Sequence, residues 1–361
     1  MKVLLLRGNP RKTGYTRFLT DCFAQGVKEV GADLTDVDIA NADMKPCLGC
    51  YHCWLSTPGK CIHHDDMGEL LPVLQASNAV VCATPLYFYA MSSSLKEFFE
   101  RTLPVTRHGL ADTPKGFLRN RIRNPELWQK KTLVSIIIGA LLYPEAFKGA
   151  MDTFELIADG MDMSVGGHLV RPESYLLPFR CKPKALKNVE LAFIRAGREV
   201  GTTGTLTQNT MEMASAPISA SSKAFRCYSE RYWAHASGMG AAGMVVSDVV
   251  PFVARDIQIL MQELARAFDP DAAKRVKALI QFDFHDVDLH YSIAISSGRC
   301  TMTEAANEQP DLRITCNSEV WAGVFLQELD VRRALTDKLI ILEGDKALFS
   351  KLPRLFPPPK G

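Results

Sequence analysis

KVLLLRGNPRKTGYT, residues 2–16, decides the fold. Residues 2–6 form a short apolar run of the kind that lies buried in a parallel sheet. The run passes directly into a Gly-Asn-Pro loop, and residues 16–30 then carry helical character, with Gly31 as a stop. Such a loop presents backbone N–H groups and the positive helix end to a phosphate. Thr13 and Thr16 can add hydroxyls and Arg11 a charge, and Asn9, Gly14 and Tyr15 complete the candidate phosphate-binding set. The competing reading is an ordinary polar turn that caps a helix. The loop is neither GxGxxG nor a Walker A sequence, so neither a dinucleotide site nor an ATPase follows.

Outward from this unit, strand and helix patterns alternate through the first 200 residues. Strands are predicted at 34–39, 79–83, 131–138 and 168–177, and helices after Asp65 or Asp66, after Ser92–Ser94, at 145–158 and at 184–200. Pro72 lies inside the first of these helices. Five such units predict an α/β fold with a doubly wound, parallel five-stranded sheet. Ligands of open α/β sheets sit at the carboxyl ends of strands. The third strand ends in TPLYFYAM, residues 84–91, where Pro85, Leu86, Tyr87, Phe88 and Tyr89 can wall a flat ring. Gly139, after the fourth strand, joins the same candidate cofactor set. The alternative is that the aromatics pack the core or a subunit interface.

Between these two loops lies CLGCYHCWLSTPGKC, residues 47–61. Cys47, Cys50, Cys53 and Cys61 are four of the ten cysteines, gathered in one short stretch. Four thiolates suit a [4Fe–4S] cluster or a tetrahedral zinc. Compact C-x2-C-x2-C spacing resembles ferredoxin-type ligation more than paired zinc knuckles. A Cys3His zinc site using a nearby histidine (His52, His63 or His64) and metal-free thiols remain the alternatives. Cys22, Cys82, Cys181, Cys227, Cys300 and Cys316 are scattered through apolar patterns and read as core residues.

GNPRKTGYT, residues 8–16, resembles the FMN phosphate loop of the NADPH-dependent FMN reductase and multimeric flavodoxin group, usually written G-S-P-R-x-x-G-N-T. Asn9 and Tyr15 depart from that pattern. TPLYFYAMSSSLKEFFER, residues 84–101, resembles the group's flavin loop and following helix. The cysteine loop, continuing into CIHHDDM, resembles the iron–sulfur flavoprotein branch, although its spacer of seven residues before Cys61 is long for that pattern. The resemblance implies a flavodoxin-like fold, non-covalent FMN rather than FAD, NAD(P)H as an electron donor and a [4Fe–4S] cluster on the four cysteines. It further implies a small-molecule acceptor or a ferredoxin-type electron partner, and a homodimer or tetramer.

The chain has 361 residues, which predicts two domains. Residues 1–200 form the flavodoxin-like domain, 201–254 read as a connector with a helix around 223–236, and 255–361 form a different kind of domain. In the last, Ile280, Phe282 and Phe284, then Leu289, Tyr291, Ile293 and Ile295, alternate as in antiparallel strands with one buried face. Short strands at 311–316 and 339–342 and a helix at 318–329 follow. LIQFDF (279–284), YSIAISSGRCTM (291–302), PDLRITCNSEVW (310–321) and LIILEGDKALFSKLPRLF (339–356) resemble the sterol-carrier-protein fold. That resemblance implies an α+β domain enclosing an apolar tunnel for a lipid or acyl chain.

A net charge of +2 gives no case for nucleic acid. The apolar run at the N-terminus is too short for a signal peptide, and the longest apolar stretch, 133–143, is too short for a membrane span. A cytoplasmic, reducing setting is expected, with cysteines as ligands, reactive thiols or core residues. Residues 101–131 carry eight basic and two acidic side chains and read as a long extended connection, a lid or a solvated surface. Asp65 and Asp66 read as helix caps. The expected function is an FMN-dependent oxidoreductase; the alternative is a hydrophobic-ligand binding protein whose flavodoxin-like domain is not catalytic.

Overall fold

The structure is a computed structural model that describes residues 1–113, 115–177, 183–219, 221–238 and 254–357. The chain divides into two compact units, one comprising Met1–Leu177 and Ala185–Ile218, the other built on Ser219–Gly361. Cys181 and the glycine-rich stretch 239–243 lie outside the described residues. Among the described residues no helix is long and apolar enough to cross a membrane.

The first unit is built on strands β1 (Lys2–Arg7), β2 (Asp33–Val37), β3 (Ala79–Pro85), β6 (Thr132–Ile138) and β7 (Ser164–Arg171), in the order β2-β1-β3-β6-β7. Every pair is parallel. This is the flavodoxin strand order, with the order reversing between β1 and β3. The apolar runs behave as their composition demands: all seven residues of β3 are buried, and only the edge strand β2 is largely exposed. Leu4, Leu6, Val80, Cys82, Leu133 and Ile137 share one core. Onto it pack helices α3 (Met67–Ala76), α4 (Ser93–Glu100) and α5 (Glu145–Gly160). Alternate residues turn to the other face, where α1 (Tyr15–Glu29) lies on β1, β2, β3 and β6. Helix α6 (Pro183–Thr203) crosses α1 at a glycine pair. A Cβ on Gly26 would lie 1.9 Å from the Ile194 carbonyl oxygen, and one on Gly197 2.0 Å from that of Phe23.

Three features of this unit differ from the sequence expectation. The last strand ends at Arg171 rather than continuing to 177, and Ser174–Leu176 is a short 3-10 turn. Residues 101–131 are not an extended lid: β4 (Thr106–Asp112) and β5 (Leu118–Ile122) pair as an antiparallel hairpin. Behind it Ile122 and Trp128 enter the core, Trp128 with 0% exposure. Nor is the whole segment a solvated basic surface. Arg101 and Lys131 are buried, and Lys131 donates to the carbonyls of Gln75 and Ser77 at the end of α3, its pKa pushed down by burial to about 8. Beyond α6 the chain forms α7 (Gln208–Ser215), capped by the Thr207 hydroxyl and packed on β7, rather than an irregular connector.

The second unit begins with α8 (Ser222–Gly238) and α9 (Ile257–Arg266), the latter capped by Asp256. Its sheet runs β10-β9-β8-β11-β12, from β8 (Ala278–Phe284), β9 (Leu289–Ser296), β10 (Arg299–Thr303), β11 (Leu312–Cys316) and β12 (Ile340–Gly344). Helices α10 (Ser318–Phe325), α11 (Val331–Thr336) and α12 (Lys346–Leu355) complete it. The two alternating runs pair antiparallel as expected, β8 with β9, whereas β8 and β11, for which no direction was read, run parallel, with Ile280 opposite Leu312. β10 runs in the same direction as β8, and the chain crosses from that edge to the free side of β8 and enters β11 without reversing. The alternating residues Ile280, Phe282, Tyr291, Ile293 and Ile295 form the core with Trp321 and Leu352. The other face is not bare: Gln281, Asp283 and Ser292 are buried in a network with His290, Arg313 and the Asn307 amide. Of the scattered cysteines, Cys82 and Cys316 are buried, and Cys22, Cys227 and Cys300 are half-buried.

The hairpin reading has a direct test. Trp128→Ala is expected to cost about 3–5 kcal/mol through the cavity it leaves. Leu118→Ser, at an exposed hairpin position, should change stability by less than about 0.5 kcal/mol. Urea unfolding followed by circular dichroism distinguishes this from a detached loop, for which both changes would be small.

Candidate functional site

The loop after β1 and the loop after β3 meet at the carboxyl edge, above the point where the strand order reverses. The Gly8 amide donates to the Ala83 carbonyl at 2.8 Å. Ser94 Oγ, in the first turn of α4, donates to the Gly8 carbonyl at 3.4 Å. A Cβ on Gly8 would lie 2.6 Å from Ser92 Oγ, so the loop rests directly on the start of α4. Neither α1 nor α4 has a side-chain cap, and the positive ends of both helices face this loop. Gly14 stands at the N-cap of α1 with φ +106°. Arg11, Lys12 and Thr13 are exposed, and Tyr15 and Thr16 are half-buried. Asn9 is buried, its Nδ2 donates to the Arg11 carbonyl at 2.7 Å, and its Oδ1 is buried without a partner. A buried acceptor without a partner is open to a donor.

The second loop is a tight turn. Tyr87 and Ala90 exchange both backbone hydrogen bonds, at 3.0 and 2.9 Å. The two residues between them, Phe88 (φ +46°) and Tyr89 (φ +64°), are both left-handed. That is the geometry of a type I′ turn, which ordinarily takes Asn and Gly. Two aromatic residues there carry backbone strain of the sort stored at functional sites. Phe88 is 99% exposed and Tyr87 and Tyr89 are exposed, whereas Pro85 is buried and Leu86 half-buried. Leu86 donates to the Ile138 carbonyl at 2.8 Å. Gly139 follows, where a Cβ would lie 2.8 Å from the Phe147 ring and 3.1 Å from Leu86 Cβ. The structure thus brings Asn9, Gly14, Pro85, Leu86 and Gly139 to one edge. The sequence signal missed Ser92, Ser94 and Thr84. The Thr84 hydroxyl accepts from the Ser92 amide at 2.9 Å and so fixes the start of α4 against β3. Two hydroxyl residues at the head of a helix were the available clue.

The cysteine loop leaves the same edge after β2. It is turned by Gly49 (φ +61°), Tyr51 (φ +54°) and Gly59 (φ +85°) and contains the short helix α2 (His52–Leu55). Cys47, Cys50, Cys53 and Cys61 line one pocket, closed by Leu103 and Pro104. The Cys53 thiol is pushed up by burial and by its neighbours Cys61, Cys50 and Cys47. They do not close on a single ion: among the described residues no three His, Cys, Asp or Glu side chains come together as a metal site. His63 lines the same pocket, and its Nε2 lies 3.2 Å from the Pro46 carbonyl. Four thiols on one loop are the donor type that a [4Fe–4S] cluster or a tetrahedral zinc takes.

The loop is clamped from outside. Trp54 Nε1 donates to the Leu103 carbonyl at 3.1 Å, and Arg123 to the Cys53 carbonyl at 3.4 Å. Arg101 donates to both Asp65 oxygens, at 2.6 and 2.9 Å, and to the Lys45 carbonyl at 2.5 Å. Asp65 also accepts from the Lys45 amide at 3.0 Å, so the ion pair ties the two ends of the loop. Asp65 was expected as a helix cap; it does accept from the Met67 amide at 3.3 Å, but its main partner is Arg101. Hydrogen bonds from Arg101 outweigh burial and hold the Asp65 carboxyl down at about 2. Asp66 accepts from the Asp43 amide rather than capping α3.

Residues 1–141 match the family described as NADPH-dependent FMN reductase, and residues 258–357 the SCP-2 sterol transfer family. The chain is 32% identical over 116 residues to an iron–sulfur flavoprotein of Archaeoglobus fulgidus, covering 32% of this chain and 50% of that one. It is 33% identical over 122 residues to one of Methanocaldococcus jannaschii, covering 34% and 58%. The chain therefore spans about half the length of these curated relatives. Among solved structures, an NAD(P)H:quinone oxidoreductase from Methanothermobacter marburgensis aligns with TM-score 0.42 and 17% identity, over 55% of this chain and 96% of that one.

The clamp has a pH signature. A carboxyl held at about 2 in the folded chain, against about 4 when unfolded, contributes stability that is complete above about pH 4 and is lost as pH falls toward 2. Arg101→Met should lower stability by about 3–5 kcal/mol at neutral pH, since it strands a buried carboxylate. It should also flatten the acid limb of the stability profile. Urea unfolding of parent and variant at pH 7 and pH 3 checks both; parallel acid limbs would refute the clamp.

Proposed function

We propose that the first unit is an FMN-dependent oxidoreductase that uses NAD(P)H or single electrons, delivered through a [4Fe–4S] cluster, to reduce a small organic acceptor. One observation carries the reading: the uncapped starts of α1 and α4 and the strained aromatic turn converge where β1 and β3 part, with four thiols on the neighbouring loop. The residues fit the cofactor. Arg11, Thr13, Gly14, Tyr15 and Thr16 would hold its phosphate, and Asn9, whose Oδ1 is an open acceptor, would take a hydrogen bond from one of its hydroxyl donors. Pro85, Leu86, Tyr87, Phe88, Tyr89 and Gly139 would flank its ring. When bound, FMN supplies two-electron and one-electron chemistry at one ring, and the protein orients that ring and shields it from water. The match of residues 1–141 to the FMN reductase family and the names of the archaeal relatives support this reading.

Cys47, Cys50, Cys53 and Cys61 are the proposed cluster ligands. A ferredoxin-type protein is the proposed single-electron partner, and the cytoplasm the proposed compartment. The exposed Leu48, Tyr51, Leu55 and Ile62 of the cysteine loop, with Phe88 and Tyr89, support assembly as a homodimer or tetramer. For the second unit we propose a hydrophobic ligand, on the strength of its SCP-2 match. The reading in which that unit alone functions has less support, since its ligand rests on the SCP-2 match alone, whereas the first unit also brings two uncapped helix starts and a strained turn together.

The purified protein should carry FMN and not FAD. Gly139→Val, whose side chain would meet Phe147 and Leu86, should lose the flavin with little loss of secondary structure; recovery of FAD, or a fully yellow variant, argues against the assignment. Anaerobically prepared parent should contain iron and acid-labile sulfide, and Cys50→Ser should lose most of both; a parent free of iron sinks the cluster. Light scattering of the flavin-loaded protein should give a multiple of the monomer mass, and a monomeric mass would overturn the assembly.

A further inference from the structure

We propose that Arg101 sets the reduction potential of the thiol-held cluster, acting as a positioning residue through its buried N–H group on Cys61; the inference rests on the cluster assignment above. Arg101 Nη2 lies 3.5 Å from Cys61 Sγ, within reach of a hydrogen bond to sulfur. The guanidinium is otherwise spent on Asp65 and the Lys45 carbonyl, and its Nε is buried without a partner. Side-chain exposures of 1% for Arg101 and 0% for Asp65 leave no water to screen the charges. Among the described residues no side-chain donor reaches the sulfurs of Cys47, Cys50 or Cys53, so the four corners of the site are not equivalent.

Closing the loop does not by itself require this arrangement. Asp65 could receive the loop amides without a cation, and burying both charges carries a desolvation cost that a neutral pair avoids. What the ion pair adds is direction: the cationic partner is the one that touches sulfur, and the carboxylate lies behind it. Adding one electron to a cluster adds one negative charge, and a cation with an N–H aimed at a ligand sulfur stabilises that reduced form. Arginine keeps its charge at every accessible pH. Arg101 therefore holds the potential up, and Asp65 tempers it.

The two partners make opposite predictions, which a merely structural clamp does not. Parent, Arg101→Gln, Asp65→Asn and the double variant are prepared anaerobically and assayed for iron and sulfide. Each is then titrated with dithionite while the cluster is followed by electron paramagnetic resonance. Arg101→Gln should shift the reduction equilibrium at least tenfold toward the oxidised form, a fall of about 59 mV for one electron. Asp65→Asn should shift it the other way. The double variant should lie between them and below the parent, and it decides the matter if either single variant fails to fold. Equal midpoints in fully loaded parent and Arg101→Gln overturn the inference and leave the cluster standing. Shifts of the same sign in both single variants also overturn it, assigning the pair to structure. A parent without iron and sulfide removes the cluster and the inference together, and the metal assay shows this before any titration.

Discussion

Parallel strands cannot be joined by a tight turn, and each crossover between them runs right-handed. With β1 inside the sheet, the chain must therefore leave it in one direction to make β2 and return past it in the other to make β3. Helices α1 and α3 consequently cover opposite faces, and the connections after β1 and β3 swing apart at the carboxyl edge. The opening between them is a consequence of strand order, before any side chain is considered. What the side chains decide is how that opening is furnished: two uncapped helix starts on one side, an aromatic turn on the other, and a thiol-lined loop delivered by the neighbouring strand.

Much of this was legible in the residues. The strands β1, β3 and β6 are apolar on both faces because both faces are covered, and a continuous apolar run needs no neighbour to be recognised. The hairpin β4–β5 escaped for the converse reason. Most of its side chains are exposed, so it has no apolar alternation; it is held by pairs such as Arg119 with Asp162 and by backbone bonds. The last strand begins four residues before the expected His168, at Ser164, and includes two glycines; at Gly166 a Cβ would lie 2.5 Å from the Gly204 carbonyl oxygen, so close packing rather than apolar content selects the residue there. Alternation in the second unit correctly marked the core face but holds no information on partner direction, so the parallel β8–β11 pair was invisible. The cysteine spacing was plain, while its anchor joins residues 36 positions apart.

The polar interior of the first unit follows one pattern. Arg7, at the end of β1, pairs with Asp36 and Asp21. Arg171, at the end of β7, donates to the carbonyls of Ala214 and Ala216. Arg101, after α4, holds the cysteine loop. In each case a long buried cation stands where a regular element stops and joins it, through carbonyl or carboxylate oxygens, to a segment distant in sequence. Hydrophobic residues could fill the same volume but could not choose which loop conformation to hold. The family of buried arginines is thus the counterpart of the apolar sheet: one supplies cohesion, the other register at the edge where the candidate site lies.

The aromatic turn has an evolutionary corollary. Phe88 and Tyr89 occupy backbone positions that Asn and Gly would occupy without strain, and Phe88 has almost no surface covered in return. A lineage selected only for heat tolerance would exchange these two residues early, since relief of strain at such a turn comes without loss of packing. The two rings thus carry a conformational cost with no packing return inside this chain. The same exchange, made deliberately, would give a tougher protein with a blunter site.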